Sequence, residues 1–429
     1  MKSFIGTWLV LLLTPLTLFS QDLGENYILE WKKFYPSKAL DSGIRPSIFN
    51  YEERSVATIE AWLGFNEELL HRLAVTDSAI DPIDGRLLRV QVQSEVDKWK
   101  TLKEHTTSLQ LYSRLISKAI STIFKADYLL SSEKSMLLCD RLKAITSLAE
   151  AAQANLEQVS KNDLEKGLED LNETQRYLQT DLDNQLQSNG VLKSCDGFNL
   201  NATKALQSIA DLKNFSEARL QKNTRETVSI LGTQEYDRRL KLYTDSELTS
   251  TKLAEMALIE IQTVKTLMTD VSREYLTKVY PNQPLPKGNL GSINLALVDM
   301  EKDAPVNATD YLQFWQQQAA SAITFIQAKN IATLPKNNTL QIQTAPESAG
   351  AAARIGWVAS APPFDPNPMT TLNLPSIPET LPKQEQIDFW ASFNKPFNRM
   401  IVIHELYPGH YMQLKISRET PHPIRMMFP

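Results

Sequence analysis

Cysteine is nearly absent. The 429 residues hold two, Cys139 and Cys195, and neither stands in a C-x-x-C pattern. That excludes a cysteine zinc cluster and a dithiol redox pair. The two could form one disulfide in an oxidising compartment or remain separate thiols. Glycine is scarce as well, at 14 residues, with no G-x-S-x-G elbow, phosphate-binding loop or dinucleotide fingerprint. No block of five or more like charges occurs, and 45 basic against 50 acidic residues leave a net charge of −5. Nothing is basic enough to expect a nucleic-acid partner. Beyond the first twenty residues no apolar run approaches the roughly 20 residues of a membrane span.

With 42% hydrophobic and 22% charged residues, the chain reads as globular. Its first twenty residues differ. Lys2 precedes the apolar run Trp8–Leu13, and Leu18 and Ser20 occupy the −3 and −1 positions of a cleavage before Gln21. This pattern predicts a signal peptide over residues 1–20 and a mature domain over 21–429, secreted or periplasmic. The alternative is an uncleaved N-terminal anchor. No cysteine lies near the cleavage point, so no lipid is expected there. Five N-x-S/T sequons, at Asn172, Asn201, Asn214, Asn307 and Asn337, matter only in a source that glycosylates secreted proteins.

The expected fold class is mainly α, with a small β-sheet before a final helix. From about residue 51 to 280 apolar residues recur every three or four positions. Leu253, Met256, Ala257, Ile261, Val264 and Met268 form one such stripe, read as a core seam. Asn162 followed by Glu165 looks like a helix start. Pro281, Pro284 and Pro286 predict a loop, and residues 310–329 another helix. The second part, about 281–429, carries three short strand patterns: Thr339–Thr344, Arg354–Ser360 and Met369–Leu374. Met369–Leu374 is the candidate edge strand for an extended peptide. The last helical region begins near Gln384.

That region contains Ile401-Val402-Ile403-His404-Glu405-Leu406-Tyr407-Pro408-Gly409-His410-Tyr411-Met412-Gln413. It resembles the H-E-x-x-H zinc motif, in which two histidines four apart share a helix face and the glutamate acts as base toward a water. Here the spacing is six. On an unbroken helix that is a rotation of about 240°, which would point the imidazoles apart. Pro408 and Gly409 supply an interruption: the proline lacks a backbone donor and the glycine tolerates unusual angles. A local bulge absorbing two residues would turn His410 back toward His404. Phe393, Phe397, Met400, Ile401 and His404 share one apolar face, which predicts that His404 points inward. His71 and His105 are expected on the surface. His422 is a weaker candidate ligand. Gln413 could hydrogen-bond a ligand, and Tyr407 or Tyr411 could donate to an oxyanion.

The segment 404–413, H-E-L-Y-P-G-H-Y-M-Q, resembles the H-E-x-x-P-G-H-x-x-Q signature of the domain-of-unknown-function 885 family. Phe34-Tyr35-Pro36-Ser37-Lys38-Ala39 with Gly43-Ile44 is similar to that family's opening. Ala359–Pro366 is similar to the segment before its motif helix. The resemblance spans nearly the whole mature chain. It implies a large helical zinc-peptidase-like fold, zinc held by His404 and His410, catalysis by Glu405 through a water, and a peptide substrate. In relatives a glutamate in a downstream E-G-W-A segment would complete the site. That segment is absent here, so the expectation is a C-terminally truncated form, or substitution by Glu419 or His422. The expected function is therefore a secreted zinc-dependent peptidase-like hydrolase. The alternatives are a non-catalytic secreted helical peptide-binding protein and an inactive fragment.

Overall fold

Helix formation starts earlier than the apolar periodicity indicates. The computed structural model describes residues 22–45, 51–75, 81–191, 193, 197–222, 232–365, 368–420 and 422–428, so the expected signal peptide lies outside the described residues. Helix α1 (Leu23–Phe34) opens at Asp22, whose carboxylate accepts the Gly24 and Glu25 amides. Helix α2 (Pro36–Asp41) follows at once, with proline at a first-turn position where its missing amide costs nothing.

The first core is aromatic. Tyr27, Trp31, Phe34 and Tyr35 pack on α3 (Val56–Val75) and α4 (Pro82–Val96), with Phe34 stacked on Trp62 at 4.9 Å. Glu95 is buried there and accepts from Tyr35 Oη at 2.6 Å, Trp62 Nε1 at 2.9 Å and Trp99 Nε1 at 3.0 Å. Three donors replace the water that this carboxylate gives up. His105, on α5 (Glu104–Thr107), is half-buried beside Trp99 rather than on the surface as expected, with ring centroids 6.0 Å apart. Burial lowers its pKa.

The second core is a bundle. Helices α6 (Leu109–Lys125), α7 (Ser131–Asn155), α8 (Lys161–Thr180) and α10 (Phe198–Lys222), with short α9 (Leu182–Ser188), bury leucine and isoleucine seams between them. The cap of α8 is Ser160, two residues before the expected start. Cys139 is disulfide-bonded and buried on α7, while Cys195 lies outside the described residues.

The remainder positions the site. Helices α11 (Thr233–Thr244), α12 (Ser250–Val279), α13 (Asn289–Glu301) and α14 (Ala308–Lys329) lead to three strands, β1 (Leu340–Thr344), β2 (Trp357–Ala359) and β3 (Thr370–Leu374). The order is β1-β3-β2. β3 runs parallel to β1, with Leu340 opposite Thr370, and antiparallel to β2, with Val358 opposite Leu372. The segment expected to be an edge is therefore the central strand, paired on both sides; β1 and β2 are the edges. Helices α15 (Lys383–Ser392), α16 (Lys395–Glu405), α17 (His410–Ser417) and α18 (Pro423–Met427) complete the chain. The third core joins α14, the sheet and α15–α17.

The long stripe on α12 departs from expectation. Of its thirty residues only Thr269 and Leu276 are buried; Met256, Ile261, Val264 and Met268 are exposed. Helical periodicity reports that a helix has an apolar face, not that a neighbour covers it. Among the described elements α12 packs chiefly on α13, through a short part of its length.

Candidate metal centre

Helix α16 is placed by its polar side as much as its apolar one. Asn394 caps its start by accepting the Phe397 amide at 3.0 Å. Asn398 is buried and accepts Tyr311 Oη at 2.6 Å. Asn394, Asn398 and Val402 mark the inward side. Only part of the expected inward face points in: Phe393 and Ile401 are half-buried against the third core, whereas Phe397, Met400 and His404 are exposed. Buried asparagines with dedicated partners outweigh the apolar count in setting the helix's rotation.

α16 ends at Glu405 rather than bulging. The Leu406 amide still reaches the Val402 carbonyl at 2.9 Å, the Tyr407–Pro408 bond is cis, and a new helix starts at His410. Gly409 is needed for space and not for its angles. Its φ of −72° is open to other residues, but a β-carbon there would lie 1.8 Å from the His404 carbonyl oxygen. Tyr407 and Tyr411 are buried beneath this turn, and both hydroxyls donate to Asn338 Oδ1. Burial raises both phenol pKa values. They anchor the turn to the loop before β1, and Asn338 takes both of the hydroxyls that could have donated to an oxyanion.

The break brings the two imidazoles together. Their centroids are 4.6 Å apart at 81°, and the Glu405 carboxylate lies 3.8 Å from His404 Nε2. One ligand atom from each of His404, Glu405 and His410 falls within 4.8 Å of the others. Zinc–imidazole bonds of about 2.1 Å put two tetrahedral ligands roughly 3.4 Å apart, so modest side-chain rotation would bring the two imidazoles onto one ion with the Glu405 carboxylate beside it. The donor chemistry fits zinc: two imidazoles with no other ring partner among the described residues, beside a half-exposed carboxylate.

The other candidates lie elsewhere. His422 caps α18 and bonds Asp22 at 2.9 Å, and Glu419 accepts the Lys336 amide. Gln413 is exposed, and no side-chain hydrogen bond of its own is seen among the described residues. Two residues gave no signal in the sequence. Asn338 holds both tyrosines, and Lys415, buried on α17, donates to Thr339 Oγ1 at 3.1 Å and to the Pro368 carbonyl at 2.6 Å. Burial, aided by the charge of Arg418, pushes Lys415 down to about 8.

Two of the solved structures that share this fold show how far it extends. A candidate lipoprotein of unknown function from Shewanella oneidensis superposes with a TM-score of 0.77 at 19% identity, covering 95% of this chain and 73% of that one. A candidate lipoprotein from Colwellia psychrerythraea gives 0.61 at 15% identity, covering 94% of this chain and 75% of that one. No curated protein matches. Residues 36–428 match the family described as bacterial protein of unknown function (DUF885), and the chain belongs to that family.

Proposed function

We propose that this chain is a zinc-dependent peptidase-like hydrolase acting outside the cytoplasm. The observation that carries the reading is the convergence of His404, Glu405 and His410 across the helix break between Glu405 and His410. When bound, zinc supplies Lewis acidity toward a peptide carbonyl and a water. His404 and His410 hold it. Glu405 takes the proton of the attacking water as the C–O bond forms, then passes it to the leaving amine as the C–N bond breaks. The exposed Phe397 and Met400, on the same side of α16 as His404, offer apolar contact for a peptide side chain. The signal sequence, together with the absence of any helix among the described residues long and apolar enough to cross a membrane, supports a secreted or periplasmic setting.

A second reading is peptide binding without hydrolysis. The observation behind it is that His422 and Glu419 are both engaged away from the site, so that among the described residues two histidines meet where catalytic zinc usually takes three protein ligands. Zinc content and hydrolysis of a casein-derived peptide mixture separate the readings, with His404→Ala and Glu405→Gln as controls. One zinc per chain, lost in His404→Ala, with hydrolysis lost in Glu405→Gln, supports the enzyme. Zinc without hydrolysis leaves the binding protein, and a folded chain with no zinc affinity overturns both metal roles.

A further inference from the structure

A cavity of about 1370 Å³ opens between the aromatic core and the helical bundle, lined wholly by residues from Tyr35 to Arg239 and so by none of the metal-centre residues. Its lining carries seven cationic side chains against three carboxylates. The carboxylates are largely committed. Asp163 accepts Ser108 Oγ at 2.9 Å and the Gln110 amide at 3.2 Å, capping α6, and Glu104 pairs with Lys98 at 3.5 Å.

Three of the seven cations are not, whereas Lys98, Arg114, Arg219 and Arg239 have partners of their own. Lys38, Lys118 and Lys222 have no carboxylate within ion-pair distance among the described residues. Lys38 places its ammonium 4.1 Å over the Tyr35 ring, an arrangement that tolerates a cation without neutralising it. Burial, and after it the Lys98 charge, lowers its pKa against the weaker opposing pull of Glu95 and Glu52. Arg239 bonds Glu235 through Nε at 2.8 Å, but its Nη2 is buried with no partner. Buried donors are normally satisfied, and this one nitrogen is not. Leu111, Leu115 and Val159 line the same space and give it apolar wall as well.

We propose that this cavity binds an organic polyanion, a ligand bearing two or more carboxylate or phosphate groups, held by Lys38 and Arg239. The ligand supplies the acceptors these side chains lack, and the positive surroundings draw it in.

The test titrates metal-stripped full-length mature protein with citrate and, separately, with inorganic pyrophosphate. Stripping keeps chelation at the histidines out of the signal. Binding is read by calorimetry and by Tm against sodium chloride of equal ionic strength. At least one probe is expected to raise Tm by several degrees, and Lys38→Met and Arg239→Met are expected to weaken its binding tenfold or more. Lys265→Met, outside the cavity, should leave binding unchanged. Citrate alone marks a carboxylate ligand, pyrophosphate alone a phosphate ligand, and either supports the site. Without ligand, Lys38→Met should melt no lower than the native chain, because it removes an unpaired charge. Neither probe exceeding chloride, or both variants binding like the native chain, overturns the proposal.

Discussion

Gly409 lies directly against the backbone carbonyl of His404, with 1.8 Å between that oxygen and the place a β-carbon would occupy. The contact lets α17 begin where α16 stops and sets the two histidines face to edge. Alanine at 409 must push the two helices apart. Gly409→Ala is expected to cost roughly 1–3 kcal/mol and to weaken zinc binding at least tenfold. Urea unfolding and zinc titration check it. Native zinc affinity in the variant would show that the turn does not set the ligands.

Asn338 is the turn's outer anchor, taking the hydroxyls of Tyr407 and Tyr411 on one oxygen. Asn338→Ala should lower stability by about 1 kcal/mol and loosen the proposed zinc site without touching either histidine. A variant that loses stability while binding zinc as before would confine Asn338 to a packing role.

Lys415 gives a pH signature. Its folded pKa is near 8, below its usual 10.5, because burial disfavours the charge. Between those values the unfolded chain binds more protons than the folded one. Stability therefore rises with pH from about 8 toward 10.5. Below pH 8 both states are charged, and the folded state carries the full cost. The rise should be missing from Lys415→Met when urea midpoints are measured from pH 7 to 10. Parallel profiles for the two proteins would refute the assignment.

Helix α12 offers a paired test of burial. Leu276 is buried and Leu258 is exposed on the same helix. Leu276→Ala is expected to cost about 2–5 kcal/mol, whereas Leu258→Lys should change stability by less than about 0.5 kcal/mol. A large loss on Leu258→Lys would mean that something covers that face in solution.

Much of this architecture is legible from residue patterns. The strand alternation around Leu340, Val358 and Leu372 locates all three strands, and Pro408-Gly409 marks the interruption between the histidines. What periodicity cannot supply is pairing and orientation. Met369–Leu374 reads the same whether a strand is central or at an edge. The α12 stripe reads the same covered or bare. The rotation of α16 depends on Asn398 meeting Tyr311 across 87 positions, which no local pattern reveals. Asn338 and Lys415 were invisible for the same reason: their partners are distant in sequence.

The bond between Asp22 and His422 ties the first described helix to the last. Phe428 lies beside Tyr27 and Trp31, and Arg425 pairs with Asp84 on α4. Since α18 follows α17 closely, the segment bearing His410 is moored at its far side to the first described helix. Bulk attached next to Asp22, such as an affinity tag, would bear on that mooring. Whatever stands ahead of that helix would then help set how firmly the histidines are held.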